Sequence, residues 1–146
     1  MPDPLPPADL DRFLRAQKRD YAQALAELRQ GRKTTHWIWY VLPQLRGLGR
    51  SDMAQAYGLA GRAEAAGYFA HPVLGPRLVE CVNAMLAHTD RSAESILGAV
   101  DALKFRSCLT LFHAVAPEEP AFSAALQAFY GGQPDEATLR LLGPAP

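Results

Sequence analysis

Hydrophobic positions recur every three or four residues along most of the chain, which is the spacing of one helix face. The first such run begins after Asp9 and stops before Gly31. We expect the Asp9 side chain to cap this helix and Gly31 to end it. The run consists of Leu10, Phe13, Leu14, Gln17, Tyr21, Ala24, Leu25 and Leu28. The pattern predicts an amphipathic first helix.

The segment 34–43 is the ambiguous part of the pattern. It is rich in aromatic and β-branched residues, which is typical of a strand. No other segment alternates between apolar and polar residues in a way that could pair with it. We therefore interpret it as a short buried helix.

Further helical runs follow. They cover 52–57 after the capping residue Ser51, 61–69, 75–88, 92–97 capped by Ser92, 100–115, 120–130 and 134–142. The run 100–115 is apolar nearly all the way round, which predicts a central buried helix with Leu103, Leu109, Leu111 and Phe112 in the core. The predicted fold class is all-α, a single multihelical globular domain of about eight short helices around this buried helix.

The boundaries of the domain follow from prolines and length. Four prolines make residues 1–8 a lead-in that we expect to be flexible, and residues 9–143 form the single helical domain. The chain has 146 residues, of which 49% are hydrophobic, enough for one core.

Charge is balanced overall but uneven along the chain. Fifteen basic and fifteen acidic side chains give a formal net charge of zero, which argues against a nucleic-acid partner. The window 29–50 nevertheless holds five basic residues and no acidic one: Arg29, Arg32, Lys33, Arg46 and Arg50. This window is the one place where the sequence concentrates positive charge.

Cysteine and histidine usage predicts neither a metal nor a cofactor. Cys81 and Cys108 lack CxxC or Cys/His spacing and are interpreted as small buried hydrophobes in a reducing compartment. The four histidines form no HExxH motif. No apolar run approaches the roughly 18 residues that span a bilayer. We therefore expect a cytoplasmic protein without a membrane partner.

Two groups of residues are candidates for a site. The first lies in 33–44, where helical spacing would put Lys33 with Trp37 on one face and His36 with Tyr40 on another. Trp37 and Trp39 would diverge by about 200°, so at most one of them stacks on a ligand. The structural alternative is that both indoles pack in the core and that His36 bonds a backbone carbonyl.

The second group lies at the start of the apolar run 100–115. Asp101 and Lys104 enter a buried helix there and must be paired or bind something, because an unpaired buried charge is costly. The structural alternative is an Asp101–Lys104 ion pair, with Asp101 favoured at the helix N-terminus.

An ordered series of polar motifs gives the chain a resemblance to a known family. These are Gly31-Arg32-Lys33, His36-Trp37-Ile38-Trp39-Tyr40, Pro43-Gln44-Leu45, Gly47-Leu48-Gly49, His71-Pro72, Asp101 with Lys104, Ser107 and Thr110-Leu111-Phe112. They resemble the domain of unknown function eighteen-ten, which occurs in bacteria, plants and fungi. The resemblance implies a multihelical fold and supplies no activity, and the label calpastatin attached to some members implies an inhibitor unlike this domain. Where the family usually has a second serine after Ser107, this chain has Cys108, which argues against a hydroxyl nucleophile there.

Two function hypotheses follow. In the first, the domain binds a small anionic ligand, such as a nucleotide-like molecule, with Trp37 or Tyr40 against its flat part. The residues expected to bind it are Lys33, His36, Trp37, Tyr40, Gln44, Asp101, Lys104 and Ser107. In the second, the aromatic and basic segment 29–50 contacts a protein partner. Indoles that line a concavity favour the ligand, whereas indoles on a flat face favour the partner, and the residues leave open whether catalysis follows binding.

Overall fold

The computed structural model describes residues 9–144, so the flexible lead-in expected at 1–8 lies outside the described residues. Within residues 9–144 the chain forms nine helices, no strand and one isolated bridge, between Leu45 and Leu59. The helices are α1 (Asp11–Gln30), α2 (Ile38–Val41), α3 (Asp52–Tyr57), α4 (Arg62–Ala70), α5 (Leu74–Leu86), α6 (Ala93–Leu97), α7 (Ala99–Val115), α8 (Pro120–Tyr130) and α9 (Glu136–Leu142). The all-α fold class is confirmed, although α1 and α7 are long, at 20 and 17 residues.

Capping side chains fix several helix ends. The Ser51 and Ser92 hydroxyls accept hydrogen bonds from the N–H groups of Ala54 and Ser95, at 3.1 and 3.0 Å, which confirms both predicted caps. Gly31 ends α1 in the left-handed conformation, with φ of 76°.

The cap expected at Asp9 is wrong. The N-cap of α1 is Leu10, and no side chain caps it. Asp9 lies one residue too early, so its carbonyl accepts from the Arg12 guanidinium at 2.6 Å and its carboxylate lies 3.7 Å from the Arg15 guanidinium.

Helix α7 is the centre of the fold and packs against α2, α4, α6, α8 and α9. The predicted burial of Leu109, Leu111 and Phe112 is confirmed, since each is 0% exposed. The predicted burial of Leu103 is wrong, because its side chain is 66% exposed. Among residues 99–106 of α7 only Ala102 and Phe105 are buried, so apolar character does not coincide with burial there.

Both cysteines are buried hydrophobes, as the sequence predicts. Cys81 and Cys108 are free and 0% exposed. Burial raises the pKa of Cys81 to about 12 and also raises the pKa of Cys108. Both thiols are therefore protonated at neutral pH, which leaves neither of them a nucleophile in the folded chain.

The helix expected at 34–43 is much shorter than predicted. Only Ile38–Val41 is helical, and residues 33–37 form an irregular loop. Helical spacing therefore does not pair Lys33 with Trp37. The two side chains are nevertheless close, since the Lys33 ammonium lies 5.0 Å from the centre of the Trp37 ring. Residues 33–37 do not continue the helix because the Glu27 carboxylate of α1 accepts hydrogen bonds from the backbone N–H groups of Thr34 and Thr35.

No helix among residues 9–144 combines the length and apolar character that a bilayer span requires.

Candidate functional site

Glu27, near the end of α1, holds the loop that precedes α2. Its carboxylate accepts hydrogen bonds from the N–H groups of Thr34 and Thr35 at 2.8 and 3.0 Å and from the Thr35 hydroxyl at 2.6 Å. It also accepts from the Trp37 indole at 3.0 Å and the Gln23 amide at 2.8 Å. Burial by itself raises the pKa of Glu27, but these hydrogen bonds outweigh it and lower the pKa well below its ordinary range. Glu27 is thus an ionised, fully engaged anchor.

Trp37 and Tyr40 are core residues, at 1% and 2% exposure. The Tyr40 hydroxyl donates to the Asp20 carboxylate, and its oxygen lies 3.2 Å from the His36 carbonyl oxygen. Neither ring offers an open face to a flat ligand, which corrects the stacking role expected of Trp37 or Tyr40. The backbone of α2 thereby turns Trp39 towards the surface, where it is half-buried.

The two predicted groups meet in a lysine cluster, formed by Lys33, Asp101 and Lys104. The Lys33 ammonium lies 2.8 Å from the Asp101 carboxylate and donates to the Thr35 carbonyl at 2.6 Å. The Lys104 ammonium is farther from the same carboxylate, at 4.0 Å. Two ammonium groups therefore share one carboxylate, and the lysine cluster carries one surplus positive charge.

Lys104 also borders a small cavity, here called the Trp39 cavity. It is lined by Ile38, Trp39, Leu42, Gln44, Ala54, Tyr57, Gly58 and Lys104 and has a volume of about 10 Å³, the size of one water. The Lys104 ammonium lies 5.3 Å from the centre of the Trp39 ring. The indole N–H of Trp39 is buried and has no hydrogen-bond partner among the described residues. None of the described residues that line the cavity is acidic.

The predicted site residues are thus only partly brought together. Lys33, Asp101 and Lys104 are adjacent, and Gln44 joins Lys104 at the Trp39 cavity. His36 is exposed and does not line the cavity. Ser107 is buried elsewhere on α7, where its hydroxyl donates to the Leu103 carbonyl at 3.2 Å.

Two residues of the site were missed by the sequence reasoning. Trp39 lines the cavity, whereas the sequence singled out Trp37 and left Trp39 for the core. Glu27 decides which indole is buried, because it takes the N–H of Trp37. Its position three residues after Ala24, on the buried face of α1, is the signal that was available.

A larger cavity lies along α5, between Arg29 of α1 and Glu119 at the start of α8. This α5 groove is also lined by Phe69, Val79 and Ala84 and has a volume of about 800 Å³. It shares no lining residue with the Trp39 cavity. The sequence reasoning did not predict it.

Gly75 also lines the α5 groove and lets α4 and α5 approach closely. A Cβ atom at this position would lie 2.0 Å from the Phe69 carbonyl oxygen, so a side chain would force the two helices apart.

Comparisons with known proteins give one family and one structure. The family model described as "Protein of unknown function (DUF1810)" matches residues 7–142. The crystal structure of the conserved hypothetical protein Rv1873 from Mycobacterium tuberculosis is similar, with a TM-score of 0.91 and 46% sequence identity, covering 93% of this chain and 97% of that chain. No curated protein matches the chain.

Proposed function

Because the chain belongs to the DUF1810 family, whose description carries no activity, we propose its function from the geometry: the domain binds a small anionic ligand at the Trp39 cavity and the adjoining lysine cluster. The ligand's negatively charged group accepts hydrogen bonds from Trp39 and Lys104. The rest of the ligand extends away from the cavity towards the surface.

The buried indole N–H of Trp39, which has no acceptor among residues 9–144, is the observation that carries this proposal. A buried donor without an acceptor costs about 1–3 kcal/mol, so such groups are rare in folded proteins. The surplus positive charge of the lysine cluster lies on Lys104, in the wall of the same cavity. An anion would satisfy the donor and neutralise the charge together.

The volume of the Trp39 cavity limits which chemical groups of a ligand can enter it. A volume of about 10 Å³ admits one oxygen-sized group and excludes a base or a sugar ring. The oxygen of a terminal carboxylate or phosphate group fits this space. Since Trp37 and Tyr40 are buried, a nucleotide base finds no open ring from either of them, and the ligand class is a small carboxylate or phosphate compound.

The alternative, a protein-interaction module built on segment 29–50, has less support. Of the three aromatic residues in this segment, Trp37 and Tyr40 are buried and Trp39 is half-buried. Two of its basic residues, Lys33 and Arg29, have acidic partners in Asp101 and Glu80. The same pairing reduces the charge available to a nucleic acid. The free, buried thiols support a reducing, cytoplasmic location as part of this proposal.

An NMR titration tests the proposal, because the chain has two tryptophans. Sodium acetate or sodium phosphate is added to ¹⁵N-labelled protein and compared with sodium chloride at equal ionic strength. We expect the Trp39 indole signal to shift saturably and the Trp37 signal to stay, because Glu27 already holds the Trp37 N–H. Trp39→Phe assigns the two signals.

Lysine variants supply the matched controls, since the chain has three lysines. Lys104→Met keeps most of the aliphatic stem and should weaken binding by about tenfold or more. Lys33→Met should also weaken it, because Asp101 is then free to neutralise Lys104. Lys18→Met removes an exposed charge on α1 and should change nothing. The proposal is refuted if both indole signals stay in place, if both move alike, or if Lys104→Met binds as the parent does.

A further inference from the structure

The α5 groove has the shape of a small-molecule site. Its lining includes Val79, Asn83 and Ala84 of α5 and Ala87 at the end of that helix, which recur at helical spacing and form one stripe. Two of these residues are alanines, whose short side chains leave space above this face of the helix. Arg29 of α1 and Phe69 of α4 also line the groove. The volume of about 800 Å³ lies within the range of about 300–1,000 Å³ found for ligand pockets.

The charges that line the α5 groove do not cancel. Glu80 is satisfied within the chain, because the Arg29 guanidinium lies 3.6 Å from one carboxylate oxygen and the Tyr21 hydroxyl donates to the other. Glu119 accepts a hydrogen bond from the Ala121 N–H at 3.1 Å, at the start of α8. It has no ion-pair partner among the described residues, although it is partly buried. The formal charges of Arg29, Glu80 and Glu119 in the lining therefore sum to minus one, and within the described residues the charge of Glu119 is offset only by the N-terminus of α8.

We infer that the α5 groove binds a small hydrophobic amine. The ammonium group lies beside Glu119, where it supplies the missing positive charge. The apolar body lies along Val79 and Ala84 and gains the free energy of leaving water. This site is independent of the proposed anion site, shares no residue with it and prefers the opposite charge.

Three six-carbon probes of similar size test this inference: hexylamine, hexanol and hexanoate. Binding is measured at low ionic strength from the ¹⁵N-resolved amide shifts of Asn83 and Ala87. We expect hexylamine to bind about three- to fivefold more tightly than hexanol and hexanoate to bind most weakly, with the preference falling as salt is added. Glu119→Gln keeps the capping oxygen and should remove the preference without weakening hexanol.

A neighbouring carboxylate provides the control. Glu118→Gln removes an exposed charge that does not line the groove and should leave the preference intact. Ala84→Leu fills the groove and should abolish binding of all three probes. The inference is overturned if hexylamine and hexanol bind equally to the parent or if Glu119→Gln retains the preference. It is also overturned if light scattering shows a dimer that Ala84→Leu dissociates, because the groove would then lie between two copies of the chain.

Discussion

Replacement of Leu111 by alanine is expected to lower the free energy of unfolding by about 2–5 kcal/mol. Leu111 is 0% exposed in the second half of α7, where the ring of its neighbour Phe112 packs with its centre 5.5 Å from that of Tyr68 and 5.8 Å from that of Phe122. The variant loses the transfer free energy of the removed carbons and leaves a cavity that the dense core cannot close. Equilibrium urea unfolding measures the loss, with an unchanged m-value as evidence that the same surface unfolds.

Leu103→Ala is the matched control on the same helix. It removes the same atoms from a side chain that is 66% exposed, so we expect a change within about 0.5 kcal/mol. Alanine is a slightly better helix former than leucine at both positions, so the difference between the variants measures burial. Equal losses would mean that α7 is buried on all sides, and a loss well below 1 kcal/mol at Leu111 would place it at the surface.

Replacement of Glu27 by alanine is expected to cost about 3 kcal/mol or more. The change leaves the buried N–H group of Trp37 and the partly buried N–H groups of Thr34 and Thr35 without their acceptor. Glu27→Gln keeps the shape and one acceptor oxygen, but its NH₂ group faces other donors, so we expect an intermediate loss. Urea unfolding gives the magnitudes, and the Trp37 indole NMR signal shows whether the contact itself is lost.

The same carboxylate predicts a pH dependence. Its pKa in the folded chain lies below its unfolded value of about 4.3. The stabilisation is therefore present in full well above the unfolded value and is lost progressively as the pH falls through that value towards the lowered pKa. Glu27→Gln should lose less stability than the parent between pH 7 and pH 3. Parallel stability profiles for the two proteins would contradict this assignment.

Local signals in the sequence located most of the helices. Ser51, Ser92 and Gly31 act within one turn of their own position, so helix ends that depend on them were predictable. The exposure of Leu103 was not predictable in this way. An apolar run shows that a helix can be buried, but it does not show which part of the helix is covered by other helices. The prediction of a helix over 34–43 was wrong for a related reason, because hydrogen bonds to Glu27 of α1 determine the conformation of this segment.

In the candidate site, too, some contacts were predictable from the sequence and others were not. Asp101 and Lys104 lie one turn apart, and their contact follows from spacing. That Lys33 and Asp101 belong to one site was proposed from the cost of burying polar groups without partners, a physical argument that does not depend on chain distance, whereas their direct contact was not predicted. Which of Trp37 and Trp39 lines the cavity depends on the contact of Trp37 with Glu27, which spacing along the chain does not show. The α5 groove likewise depends on how several helices lie relative to one another.

The two thiols make the dynamics of the folded chain accessible to a chemical reagent. A thiol is alkylated as a solvent-exposed thiolate, and Cys81 and Cys108 meet neither condition while the core is closed. Their alkylation rates therefore report how often the core opens, as amide hydrogen exchange does for the backbone. Because Cys81 belongs to α5 and Cys108 to α7, unequal rates would distinguish local opening of one helix from global unfolding. The native chain thus contains a pair of reporters of opening without any engineered label.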